Sequence, residues 1–233
     1  MHPVAQKPRF QSNRLSGFKT EKGRLLHFLR VACAVVALAL SSSSSAEAAP
    51  QPAAASASTA ETKAIEAVGR IRQLAVEIER ETAPREVERR KFNELKTFID
   101  GEAMAQFVLG ERLTSASAAQ RSAVVTAVSD LVADGLIERL GGAHAEPFEL
   151  GGARTLDNGD IVVVSHVRFR DGHRGELDWR LHPKGSGQAM VDVLVDGVSV
   201  AVAARDQAAA ELSSNGGSIP RLTASMRNRL RFK

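Results

Sequence analysis

The sequences IVVVSHVRF (161–169), ELDWRLHP (176–183) and MVDVLVDG (190–197) decide the fold, because apolar and polar residues alternate along each of them. A period of two residues is typical of β-strands that bury one face. The dipeptide Asn158-Gly159 favours a tight turn just before the first of these sequences. Together with a weaker alternating run near 148–156, the pattern predicts four sequential antiparallel strands.

Upstream of the strands, apolar residues recur every three or four positions, which is the period of an α-helix. The longest such stretch runs from Val124 to Leu140. Side chains that cap helix starts precede three of these stretches, in the order Ser58 with Glu61, Asp100, and Ser117 with Gln120. Two more helices are expected at about 200–213 and 218–231. Because the helices come first and the strands later, we predict an α+β fold with helices packed around a four-stranded antiparallel curved sheet.

The first 48 residues have the pattern of a secretory signal peptide. A long basic stretch comes first, ten apolar residues follow at 31–40, and Ala46-Glu47-Ala48 supplies the small residues of a cleavage site. We therefore expect cleavage near Ala48, a flexible Pro/Ala/Ser linker over 49–60 and a single domain over 61–233. This order of segments predicts export to the periplasm.

Charge and cysteine content argue against two classes of protein. The whole chain has a formal net charge of +4, but from Ala49 onward it has 24 basic and 25 acidic residues. Such a balance lacks the positive surplus with which nucleic-acid-binding proteins neutralise phosphates, so we expect no nucleic-acid partner. The single cysteine, Cys33, lies inside the expected signal segment. The mature chain is thus predicted to have neither a disulfide bond nor a cysteine nucleophile.

Two stretches carry a resemblance to a known family. The segment 98–140 has an acidic residue before a short helix, followed by three short motifs: Val108-Leu109-Gly110, Ser115-Ala116-Ser117 and Gln120-Arg121. The segment VDVLVDGVSV (191–200) ends a strand in Asp-Gly-Val-Ser. In these features the chain resembles the MlaC family of periplasmic phospholipid-shuttle proteins, over about residues 85–232. The resemblance implies an MlaC/NTF2-like fold that encloses an apolar cavity, in a lipid carrier that is not an enzyme and has no cofactor.

The resemblance also implies a ligand, partners and a site. The ligand is expected to be a glycerophospholipid, carried between an outer-membrane lipoprotein complex and an inner-membrane ABC transporter with its substrate-binding subunit, in support of outer-membrane lipid asymmetry. Apolar residues of helices and strands supply the expected cavity wall: Phe98, Met104, Phe107, Val108, Val124, Val125, Val128, Leu131, Val132, Val163, Val167, Trp179, Val193, Val195 and Val198. Three arginines near the C-terminus are candidates for contact with head groups or an acidic partner surface: Arg221, Arg227 and Arg229.

Three positions depart from the family pattern. Where the family usually has aromatic residues, this chain has Arg112, Gln188 and Val191. Smaller side chains at inward positions leave volume behind, so we expect a roomier or differently shaped cavity. The ligand then need not be a two-chain phospholipid, and a hopanoid, which some relatives are associated with, is an alternative.

An NTF2-like enzyme is the alternative from another class, and it would need an acidic side chain facing inward next to His166. The sequence Gly197-Val198-Ser199-Val200-Ala201 differs at one position from the nucleophile motif G-x-S-x-G, and we interpret Ser199 as a helix cap instead. The histidines of the strand region lack the spacing of a helical zinc site, so we predict no metal. The acids that alternate with apolar strand residues are expected to face solvent: Asp178, Asp192 and Asp196.

Overall fold

The computed structural model of the chain describes residues 58–80, 84–140, 148–168, 172 and 174–231. The expected signal segment lies outside these ranges, and of the expected linker only 58–60 is included. Across the described ranges the chain forms seven helices and five strands. None of these helices is long and apolar enough to cross a membrane.

Five helices precede the sheet and two follow it. They are α1 (Thr59–Arg80), α2 (Arg85–Thr97), α3 (Gly101–Leu109), the single-turn α4 (Glu111–Thr114), α5 (Ala118–Leu140), α6 (Val200–Ser214) and α7 (Ile219–Arg229). The helices predicted from the apolar period are confirmed in order and closely in extent. Helix α4 is an addition, because a single turn is too short to show a period.

Both predicted capping boxes are present. The amide of Ser58 donates to Glu61 Oε2 at 2.8 Å, and the amide of Glu61 donates to Ser58 Oγ at 3.2 Å. Ser117 and Gln120 make the same reciprocal pair at 3.1 and 3.3 Å. The bond from the Ser58 amide, followed by one from the Thr155 hydroxyl, lowers the pKa of the Glu61 carboxyl below its ordinary value. Since Thr155 belongs to the first strand, this cap also ties α1 to the sheet.

The strands form one open antiparallel meander. In order they are β1 (Phe148–Thr155), β2 (Ile161–Arg168), β3 (Arg174–Lys184), β4 (Gly187–Val195) and β5 (Val198–Ser199). The prediction of four strands was wrong, because Asp196 and Gly197 reverse the chain and pair β5 with the end of β4. Both residues have positive φ, 49° and 79°, as a two-residue hairpin turn of type I′ requires. Register shifts at 151–152 in β1 and at Val191 in β4 are of the kind that bends a strand.

The outer edge of β4 is partly covered by the backbone of the segment 98–100, just before α3. The amide of Met190 donates to the carbonyl of Phe98 at 2.8 Å, and the amide of Asp100 donates to the carbonyl of Met190 at 2.9 Å. An uncovered strand edge is a template for aggregation, so this contact protects the sheet. It also fixes Asp100 beside the β3–β4 hairpin.

The core lies between the helices and one face of the sheet. Alternate residues of β2, β3 and β4 face it, and Trp179 at its centre is fully buried. The indole Nε1 of Trp179 donates to Ser165 Oγ at 2.9 Å, and that hydroxyl donates to the carbonyl of Leu177 at 3.4 Å. Because a buried donor without a partner is costly, this serine lets a tryptophan occupy an otherwise apolar interior.

Helices α3 and α5 pack closely against each other at Gly101. A Cβ atom on Gly101 would lie 1.9 Å from Ser129 Oγ and 3.1 Å from the carbonyl oxygen of Val125. The Ser129 hydroxyl itself donates to that carbonyl at 3.0 Å, so it has little freedom to move away. Glycine is therefore the residue that lets the two helices pack at this distance.

We expect Gly101→Ala to lower the free energy of unfolding by about 1–3 kcal/mol, because the added methyl group forces α3 and α5 apart. Gly135 within α5 is the matched control, since a Cβ atom there would meet nothing within 4 Å. Gly135→Ala should raise stability by up to about 1 kcal/mol through helix propensity alone. Urea unfolding measures the free energy of unfolding of both variants. If both substitutions change it in the same direction, the close contact of α3 and α5 at Gly101 is contradicted.

Candidate functional site

Most of the predicted cavity residues come together in one apolar core. Seven are buried: Met104, Val124, Val128, Val163, Val167, Trp179 and Val195. Six more are half-buried and pack against that core: Phe98, Val108, Val125, Leu131, Val132 and Val193. Two lie apart from it, since Phe107 is 45% and Val198 37% exposed. Contact of these residues with a lipid stays a prediction.

These residues pack against one another, and the apolar cavity expected from the sequence is not seen. In the described ranges two pockets are open surface clefts of about 380 and 440 Å³. Arg112 is exposed, and Gln188 and Val191 are half-buried. The additional room expected at these three positions stays a prediction.

The first cleft lies between the start of α3 and the start of α5, and we call it the α3–α5 cleft. It is lined by Glu102, Ala118, Arg121, Ser122, Val125 and Thr126. Arg121 donates from a terminal nitrogen to the carbonyl of Thr114 at 3.1 Å, while its Nε is buried without an acceptor in the described part of the chain. No ion pair joins Arg121 to Glu102 within the described part of the chain. The cleft therefore presents a cation and an anion that do not neutralise each other.

The second cleft contains His166 and lies on the outer face of the sheet. Glu149, His166 and Glu176 are direct neighbours across β1, β2 and β3. His166 Nδ1 lies 3.8 Å from Glu176 Oε2, and the two side chains are 57% and 49% exposed. The acids beside His166 thus face solvent, whereas the enzyme alternative requires an inward acid. Over the described ranges, no group of three metal-ligating side chains is found.

Asp100 joins the start of α3 to the β3–β4 hairpin. Its Oδ1 accepts from the amide of Ala103 at 3.0 Å, and its Oδ2 lies 2.8 Å from His182 Nε2 and 3.1 Å from Lys184 Nζ. Burial by itself raises the pKa of this carboxyl, but the Ala103 amide, the Lys184 ammonium and the His182 ring together bring it below its ordinary value. The predicted cap is confirmed, and it is also an electrostatic link to the sheet.

Ser199 caps α6, as predicted. Its Oγ accepts from the amide of Val202 at 3.1 Å. The expectation that Asp192 faces solvent was wrong, because Asp192 is half-buried and accepts from the Ser199 hydroxyl at 2.6 Å and from the amide of Ala201 at 2.9 Å. A carboxylate is stabilised by the unpaired amides of a helix start. Asp178 is half-buried too, and Asp196 is exposed.

The candidate head-group arginines fall into two groups. Arg229 pairs with Glu211 and donates to Ser225 Oγ at 2.8 Å, so its charge is used within the fold. Arg221 and Arg227 are exposed, and the described residues give them no ion-pair partner. Of the three candidates, these two present their charge to solvent, and their contact with a head group or partner stays a prediction.

Sequence reasoning missed the charged residues that the fold brings together from separate segments. Glu102 and Arg121 belong to different helices, and His182 lies 82 residues from Asp100. A partial signal was available, since Glu102 and Arg121 both follow closely on predicted helix caps. The sequence alone does not show that these two helix starts lie side by side.

Comparison with known proteins agrees with this architecture. The chain matches the family model described as MlaC protein over residues 70–228. Its fold is similar to the solved structure of a phospholipid-binding protein from Ralstonia solanacearum in complex with a phospholipid. The two chains are 20% identical, with a TM-score of 0.55, and the match covers 74% of this chain and 97% of that chain. No curated protein matches the chain.

Asp100→Asn should destabilise the fold in a pH-dependent way, because it keeps a capping acceptor but removes the charge that meets Lys184 and His182. Since the folded-state pKa is lowered, the carboxylate contributes stability above its unfolded pKa of about 3.9, and that contribution is lost as the pH falls through the folded value. We expect a loss of about 1–2 kcal/mol near pH 6 that disappears toward about pH 2.

Urea unfolding of the unmodified protein and the variant at both pH values measures this difference. Asp157→Asn is the matched control, because Asp157 is an exposed turn residue, and it should leave stability unchanged at either pH. A difference for Asp100→Asn that is the same at both pH values would contradict the electrostatic link.

Proposed function

Because the chain belongs to the MlaC family, we propose that it is a periplasmic phospholipid carrier. The family match over residues 70–228 carries the proposal, since this range includes nearly all of the core and the whole α3–α5 cleft. The similar fold of a protein that binds phospholipid supports it. The carrier acts by binding and handing over its ligand rather than by catalysis.

The apolar contact between helices and sheet is the proposed place for the acyl chains. Burial is worth about 0.8 kcal/mol per CH₂ group, so two chains of about sixteen carbons represent roughly 20–25 kcal/mol. A protein replaces the contacts that the acyl chains make in a membrane only if its surface covers the chains on both sides. Helix α1 packs on β1, β2 and β4. Its aliphatic residues, such as Ile71, and those of the strands, such as Val163, provide two facing surfaces of this kind.

Loading then requires the packed core to open. The strands are joined by continuous backbone hydrogen bonds, whereas helices meet the sheet mainly through side chains. The helices are therefore the parts that move when a lipid enters.

Delivery requires partners, because a lipid held by this much apolar contact leaves slowly without help. The proposed partners are an outer-membrane lipoprotein complex and an inner-membrane ABC transporter with its substrate-binding subunit. Exchange between them moves phospholipid between the two membranes and supports the lipid asymmetry of the outer membrane. The exposed Arg221 and Arg227 are available for an acidic surface on either partner.

Native mass spectrometry of the mature chain purified from periplasm, followed by lipid extraction, tests the proposed ligand. A stoichiometric glycerophospholipid is the expected result. A polycyclic lipid in the extract would instead identify the ligand as a hopanoid. A bare protein that also fails to take up added phospholipid would contradict the carrier function.

Val193→Asn should lower phospholipid binding about tenfold, because it places an amide in the proposed apolar contact at a cost of about 1–3 kcal/mol. Val193 is half-buried, lies opposite Trp179 and packs against the core. Leu194→Asn is the matched control, since Leu194 is also half-buried but lies opposite Asp178 on the other face of the same strand.

Uptake of a fluorescent phospholipid by both variants measures the effect, with circular dichroism to establish that each is folded. The control should bind within about twofold of the unmodified protein, which corresponds to less than about 0.5 kcal/mol. Equal losses in the two variants would contradict a binding place on the core face of the sheet.

A further inference from the structure

We propose that the α3–α5 cleft binds the phosphoethanolamine head group of the carried lipid, with Arg121 on the phosphate and Glu102 on the ammonium. This inference rests on the proposed carrier function and adds a head-group preference to it. Phosphoethanolamine carries one negative and one positive group a short distance apart. The cleft offers the complementary pair.

The size of the cleft suits a small polar group. Its volume is about 380 Å³, within the range of about 300–1,000 Å³ that is typical of small-molecule sites. It opens to solvent, so a head group can enter without the desolvation cost of a closed cavity. The hydroxyl of Ser122 adds a donor beside Arg121.

Arg121 is prepared for an anion. Its hydrogen bond to the carbonyl of Thr114 holds the guanidinium in place, and a planar guanidinium donates two parallel hydrogen bonds to phosphate oxygens. Its Nε is buried, so the terminal N–H groups are the donors left for a bound phosphate.

Glu102 supplies the preference between head groups. It is exposed on the α3 side of the cleft, and none of the described residues forms an ion pair with it. An ethanolamine ammonium has three N–H donors for this carboxylate. A phosphoglycerol head group has no cation, so its phosphate would meet Arg121 while Glu102 stayed unpaired and repelled it.

Val125 joins the cleft to the apolar core. It lines the cleft and also packs against the apolar core. A lipid whose head group lies between Glu102 and Arg121 would therefore direct its chains past Val125 into the interior. One ligand then accounts for both the charged cleft and the apolar core.

Lipid exchange tests the head-group site. Unmodified protein, Glu102→Gln and Arg121→Gln are incubated with vesicles that contain equal amounts of phosphatidylethanolamine and phosphatidylglycerol, and the bound lipids are extracted and counted. Glu102→Gln should lower the ratio of bound phosphatidylethanolamine to phosphatidylglycerol about threefold, as expected for a partly exposed ion pair. Arg121→Gln should reduce the binding of both lipids. Arg89→Gln on α2 is the control, since Arg89 is exposed and does not line the cleft, and it should change neither quantity.

The outcomes separate the two proposals. If the unmodified protein takes up no lipid of either kind, the carrier function fails. If lipid is bound in normal amount but Glu102→Gln leaves the ratio unchanged, the carrier function stands and the head-group site is wrong. A second probe is soluble glycerophosphoethanolamine, which should compete with phosphatidylethanolamine more than with phosphatidylglycerol. Binding of this probe at the cleft with no effect on the lipid ratio would assign the cleft to a soluble ligand and overturn the proposal.

Discussion

The burial of one face of the sheet under the helices is the constraint on which the rest of the structure depends. Residues of β2, β3 and β4 alternate, so a single register places Val163, Trp179 and Val195 on the same side. A slip of one residue would turn every apolar side chain toward solvent. Trp179 and Ser165 hold this register, because only in it does the indole find its acceptor. The same apolar face is the one that the proposed function requires for acyl chains.

The three residues at the start of α3 show how one short segment serves the core, the sheet and the cleft together. Asp100 links the helix to the β3–β4 hairpin, Gly101 allows the close contact with α5, and Glu102 forms part of the cleft. Because these residues are consecutive, a movement of α3 away from α5 changes all three contacts at once. Head-group binding in the cleft and opening of the core for acyl chains would therefore be coupled through this helix.

Local structure could be predicted from the sequence, whereas contacts between distant segments could not. The caps of α1, α3, α5 and α6 depend on residues three apart, and the helical and strand periods depend on neighbours within a few turns. The fifth strand was missed because it has two residues, too few to alternate. Whether the interior encloses a cavity could not be predicted either, since apolar side chains show that a surface is buried but not whether it faces a void or another side chain. The location of Glu102 and Arg121 in one cleft likewise depends on how two helices pack.

The contact between Asp134 and Arg231 has a consequence for the order in which the molecule assembles. Asp134 is buried on α5, and Arg231, 97 residues later, gives its carboxylate a backbone amide at 3.4 Å and a guanidinium nitrogen at 3.5 Å. Before Arg231 takes its place, docking of α5 leaves the acid in the interior short of these two partners. Completion of the core thus depends on a residue that follows the whole sheet and the last two helices. The segment between the two partners must therefore be folded before α5 reaches its full stability.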